Sequence, residues 1–128
     1  MNFFTGKLVQ KGGGLYFQEG NFSVLVEDRQ APRLIPYAGR EVIFGLRPED
    51  VKIARHLPDA SPEHRVRARV EVVEPMGAES VVYLHTGLHP FVVRVDSHEK
   101  VETGKTAELV FAMDKARFFD PDTTEKIT

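Results

Sequence analysis

The chain has 128 residues, with 17 Lys or Arg against 19 Asp or Glu, a net charge of −2 that excludes a basic nucleic-acid footprint. Its length and 41% hydrophobic content suit one core and are short for two ordinary domains. With no cysteine there is no disulfide framework, Cys-ligated zinc, iron–sulfur cluster or thiol nucleophile.

In chain order, Phe3 to Val9, Leu15 to Gln18, Phe22 to Val26 and Glu41 to Leu46 read as strands. They are separated by Gly12-Gly13-Gly14, Glu19-Gly20-Asn21 and the stretch Pro32 to Gly39, all turn or loop composition. Pro48-Glu49-Asp50-Val51, with Pro at a helix start and acids after it, predicts a single helical turn. Ala54 to Arg65, rich in Pro, Asp, Ser and His, reads as a linker between a lobe over 1–53 and a lobe over 66–128.

The second lobe opens with the clearest alternation: Val66, Ala68, Val70 and Val72 on one side, Arg67, Arg69 and Glu71 on the other. Glu74-Pro75-Met76-Gly77 breaks it. Val81 to Leu84 and, past Thr86-Gly87, Phe91 to Val95 complete a meander. A single helical turn over Ser97 to Val101, a strand from Thr106 to Ala112 and a hairpin from Phe118-Phe119 around Asp120-Pro121-Asp122-Thr123 follow. Many short strands at this spacing predict an all-β barrel or sandwich whose two lobes share a core, within one domain over 1–128. No apolar run approaches the roughly 20 residues of a membrane-spanning helix, and no secretory signal is visible, so the default address is cytoplasmic.

Several patterns imitate catalytic or binding motifs. Gly104-Lys105-Thr106 resembles the end of a P-loop, but Glu99 stands where the first glycine belongs and the segment leads into a strand. His85 and His89 lie across a turn with no third metal ligand beside them. Asp120, Asp122 and Thr124 resemble a calcium loop, yet Glu125 takes the place of its essential glycine. The acid pairs Glu49/Asp50 and Glu71/Glu74 read as solvated carboxylates and no Gly-x-Ser-x-Gly elbow occurs, so no catalytic residue is assigned. Tyr16, Phe17 and Phe22 could stack bases if exposed, but without a Lys/Arg run they read as core, and no nucleic-acid partner is expected.

Gly45-Leu46-Arg47-Pro48-Glu49-Asp50-Val51 resembles the Gly-hydrophobic-Arg-Pro-Glu signature in the C-terminal regulatory segment of ATP-binding-cassette (ABC) importer ATPases of the maltose-transporter type. Three further blocks keep that family's order: Met1-Asn2-Phe3-Phe4, Val70 to Glu79, and Phe118-Phe119-Asp120. The resemblance covers essentially the whole chain.

It implies an all-β, OB-like barrel of short antiparallel strands in two interlocked lobes, a transport-associated OB (TOBE) domain, without its nucleotide-binding domain. No P-loop, Walker B acid or signature motif is present, so ATP and Mg would belong to the parent subunit and this chain is expected to hold no cofactor, metal or enzymatic activity. Implied signature residues are Gly45, Arg47, Pro48, Glu49 and Asp50; implied regulatory or interface residues are Gly77, Glu79, Gly104 and Phe119. Implied partners are the parent's own nucleotide-binding domain, a second copy of the subunit, the transporter's membrane subunits and a regulatory protein, with the parent peripheral on the inner face of the cell membrane. Tyr83 and Phe91 are expected to be exposed at the dimer patch. The alternative is a stand-alone oxyanion module of the molybdate-binding type; such modules are about half this length and recur as repeats, and no repeat of that period is seen here.

Overall fold

Alternating apolar residues bounded by glycine-containing turns leave each segment one face to bury, and antiparallel pairing satisfies the backbone between them. The structure, a computed structural model describing all 128 residues, contains ten such strands. They are β1 (Asn2–Lys11), β2 (Gly14–Gln18), β3 (Ser23–Leu25), β4 (Glu41–Leu46), β5 (Val51–Ile53), β6 (Arg65–Pro75), β7 (Glu79–His85), β8 (Pro90–Asp96), β9 (Thr106–Phe111) and β10 (Arg117–Phe119). Two five-stranded antiparallel sheets result, ordered β10-β4-β1-β2-β3 and β5-β9-β6-β7-β8. The sheets do not follow the halves of the chain: β5 leaves the first half to pair with β9, and β10 returns to pair with β4. Each sheet therefore holds a short strand from the other half, and the all-β, interlocked OB-type architecture expected from the sequence is what forms.

Between the sheets lies one core. Seven of the nine phenylalanines are in it, and Phe4 alone packs within 5.3–5.8 Å, centroid to centroid, of Phe22, Phe44, Phe91 and Phe111, drawn from both sheets. Such offset and edge-on pairs bury large apolar area with favourable quadrupole geometry. Phe17 and Phe22 belong to this core, which leaves only Tyr16 half exposed, its phenol pKa raised by burial and by the neighbouring Glu63 carboxylate.

Four sequence expectations are corrected. Phe91 is core, 2% exposed, because it lies on the inward face of β8. Val72 is 51% exposed: a bulge shifts the β6–β7 register between Val70 and Val72, so Val72 turns outward opposite Tyr83 and Val73 packs toward the core instead. Ser97 to Val101 forms no helical turn; Glu99 N–H closes a tight turn on the Asp96 carbonyl and the chain then runs irregularly. Pro32 to Gly39, read as a loop, holds a short helix α1 (Ala31–Leu34) and a 3-10 turn (Ile35–Tyr37), with Leu34 fully buried beneath them. Residues 54–65 form two 3-10 turns, and Arg65 pins them by donating to the carbonyls of Leu57, Pro58 and Ala60 at 3.0–3.1 Å.

Candidate functional site

At the signature segment, Pro48 keeps Arg47 extended (φ −71°, ψ 150°), ending β4, and the chain turns through Pro48–Asp50 into β5. No side chain caps this turn; the backbone closes it. Asp50 N–H donates to the Arg47 carbonyl at 2.9 Å, and the Asp50 carbonyl accepts from Ala112 N–H at 2.9 Å, joining the turn to the end of β9. Arg47 and Glu49 are left exposed.

Two residues before Arg47, buried Gly45 pairs with Phe3 of β1 and Arg117 of β10. A Cβ there would stand 2.8 Å from Met1 Sδ, 3.1 Å from the Phe119 ring and 3.3 Å from the Phe3 ring. The missing side chain lets Phe3 and Phe119 meet edge-on, 6.0 Å apart, across β4. Phe3 is 53% exposed, so the structure brings Gly45 and Phe119 together beneath an apolar outer surface.

Gly77, Glu79 and Gly104 are elsewhere, on the second sheet. Gly77 (φ 95°) turns the β6–β7 hairpin, where Met76 N–H donates to the Glu79 carbonyl, and Gly104 (φ 85°) precedes β9 with its amide on the Val70 carbonyl; both φ values favour glycine. Val70 lies seven residues before Gly77, or about 20 Å along an extended strand. The four residues read as regulatory therefore form no single site. Gly104-Lys105-Thr106 opens a strand, not a helix.

Sequence reasoning missed two polar clamps between the sheets. Asn2 is buried, and its amide both donates to the Val92 carbonyl (2.8 Å) and accepts from Val92 N–H (2.9 Å), as a strand backbone would. Glu19, with a fully buried side chain, lies 2.7 Å from His89 Nδ1 and also accepts from the Thr86 hydroxyl and, at 3.0 Å, from Asn21 N–H. Thr5 N–H donates to His89 Nε2 at 3.2 Å, which makes Nδ1 the protonated nitrogen facing Glu19. Its only sequence signal was a carboxylate beside a Gly-Asn turn. His85 is separate, accepting from Gly87 N–H through Nδ1.

Asp120 closes the last hairpin. Its Oδ1 accepts from Thr123 N–H (3.1 Å) and Asp122 N–H (2.8 Å), which holds its carboxyl below the ordinary carboxylate value. Tyr37 Oη donates to Oδ2 at 3.3 Å; the phenol is pushed up by burial and by that negative charge.

Two interlocked antiparallel sheets around one aromatic core, with an Arg-Pro-Glu turn where the chain crosses between them, define an OB-type β-barrel domain. The family models agree: residues 44–119 match the TOBE domain and residues 1–51 the MalK OB fold domain, and the chain belongs to the TOBE-domain family. It is 38% identical over 99% of its length to the trehalose/maltose import ATP-binding protein MalK of Thermococcus litoralis and 32% identical over 99% to the oligosaccharides import ATP-binding protein MsmX of Bacillus subtilis. The multiple sugar-binding transport ATP-binding protein MsmK of Streptococcus mutans is 33% identical over 99% of the chain. The chain spans about a third of those relatives, 34%, 34% and 33% of their lengths. Among solved structures, the cytoplasmic molybdate-binding protein ModG with molybdate bound shares the fold, at TM-score 0.71 and 18% identity over 94% of this chain and 96% of that one. Near-complete coverage of both chains removes length as a ground for setting this chain apart from oxyanion binders. No helix is long and apolar enough to cross a membrane.

Proposed function

We propose that this chain acts as the C-terminal regulatory and dimerisation domain of the ATP-binding subunit of an ABC importer for sugars or related solutes. The observation that carries this reading is the 32–38% identity over 99% of the chain to three import ATP-binding proteins. In that setting ATP and Mg bind the parent's nucleotide-binding domain, and the present domain contributes no catalytic group. The parent works at the cytoplasmic face of the membrane against its membrane subunits.

Dimerisation is assigned to the outer face of the second sheet. Val72 and Tyr83 are cross-strand neighbours, 51% and 38% exposed, and exposed Met76 lies beside Gly77 at the hairpin tip. A two-fold operation can place such a patch on itself. A regulatory protein is assigned to the Phe3–Phe119 surface over Gly45.

Sedimentation equilibrium tests the dimer. Tethering in a full subunit supplies an effective concentration on the order of millimolar, so the isolated patch is expected to be weak, with a dissociation constant of roughly 10–1000 μM. A strictly monomeric chain across that range overturns the dimerisation role. A molybdate-induced rise in melting midpoint larger than that produced by equimolar phosphate would favour the oxyanion module instead.

A further inference from the structure

Six cations converge where α1, the signature turn and the C-terminal hairpin meet. Arg29, Arg33, Arg47, Lys115, Arg117 and Lys126 line one cleft of about 470 Å³. None of them is in an ion pair; the chain's ion pairs use Arg55, His56, Arg65, Arg67, Arg69 and His89. Two acidic side chains, Asp50 and Asp114, and the terminal residue Thr128 line the same cleft, so cationic side chains outnumber acidic ones there by four within a chain whose net charge is −2. Unneutralised like charges repel, and a concave wall concentrates their field on whatever enters. A second cleft, around Arg55 and Arg65, differs, because those guanidiniums are matched by Glu99 and Glu108 at 3.1 and 2.9 Å.

Gln30 supplies a second, independent observation. It is 1% exposed and lines the cleft; its Nε2 donates to the Ala116 carbonyl at 2.8 Å, and its Oε1 is buried with no donor. A buried acceptor without a donor forfeits its hydration with nothing in return, and nearly all such atoms in folded proteins find a partner. The cleft therefore asks for two things at once: an anion at its rim and a hydrogen-bond donor at Gln30. A bare oxyanion would set oxygen against oxygen at Gln30, and a neutral polyol would leave the cations unmatched.

We propose that this cleft binds a phosphorylated, hydroxyl-bearing small molecule of the sugar-phosphate class. The phosphoryl oxygens accept from the arginine forks of Arg33, Arg47 and Arg117, and a ligand hydroxyl donates to Gln30 Oε1. A cavity of this size falls within the usual range for small-molecule sites. The proposal stands on the cleft alone and does not depend on the importer reading.

Isothermal titration of the 128-residue chain with glucose 6-phosphate, inorganic phosphate and glucose is the test. Glucose 6-phosphate is expected to bind saturably, phosphate about tenfold more weakly, and glucose not at all. The double variant R33Q/K126Q changes two exposed side chains and is expected to keep its urea midpoint while losing at least about tenfold in affinity for both phosphates. Gln30→Met is expected to bring glucose 6-phosphate down to the affinity of phosphate. Absence of saturable heat up to about 10 mM glucose 6-phosphate overturns the proposal, as does unchanged affinity in R33Q/K126Q. Tighter binding to single-stranded DNA or to anionic vesicles than to glucose 6-phosphate would also overturn it, by assigning the charge to a macromolecular surface.

Discussion

Two glycines in neighbouring strands face different obstacles. A Cβ on Gly6 would stand 2.4 Å from the Gln18 carbonyl oxygen and 2.7 Å from the Phe17 ring, whereas at Gly45 the nearest atom is the Met1 sulfur at 2.8 Å, the end of a flexible, exposed side chain. Backbone cannot yield where a methionine can. Gly6→Ala is therefore expected to cost about 2–3 kcal/mol in urea unfolding and Gly45→Ala about 1 kcal/mol or less, and the reverse order would refute this account. Asp120 gives a pH dependence of known sign. Its folded-state pKa is depressed by the Thr123 and Asp122 amides, so its contribution is complete at neutral pH and is lost as pH falls through the folded value. The melting midpoint of wild type is expected to exceed that of Asp120→Ala at pH 7, with the gap closing below about pH 4.

Within elements, a single extra residue in β6 redirects what the alternation seemed to settle. Val66, Ala68 and Val70 obey the period and are buried, but the bulge beyond Val70 reverses the phase and places Val72 outside next to Tyr83. Asn2 acts at the same scale, joining β1 of one sheet to β8 of the other through two hydrogen bonds to Val92. Asn2→Ala leaves the half-buried Val92 N–H and carbonyl without their partner and is expected to destabilise by about 1–3 kcal/mol, read from the urea midpoint with an unchanged m-value. Glu19→Gln is expected to cost a similar amount by weakening the charge-assisted bonds to His89 and Thr86.

The molecule as a whole has one core and two outer sheet faces, and its surface chemistry is local. Summed over the chain the charge is −2, yet six unpaired cations collect in one cleft because four separate segments deliver them there. Self-association belongs to this scale too. Val72→Lys combined with Tyr83→Lys changes exposed residues and is expected to leave the melting midpoint within a few degrees while shifting the dimer dissociation constant at least about tenfold upward in sedimentation equilibrium. An unchanged constant would move the interface elsewhere.

Nine of the ten strands, the turns at Gly77 and Gly104, the extended Arg47 before Pro48 and the family itself were legible in the sequence, whereas Val51, read as part of a helical turn, opens β5. Each rests on residues near one another in the chain: a period of two, a positive φ, a proline ring, four blocks in order. The exchange of β5 and β10, the contact of Gly45 with Phe119, the Asn2–Val92 and Glu19–His89 clamps and the cationic cleft were decided by tertiary structure. These join positions roughly 55 to 90 residues apart, where no local pattern carries information and the partner is chosen only when two sheets close over a shared core. Val72 lies between the two cases: its period was visible, but the bulge that overrode it exists only in the pairing of β6 with β7.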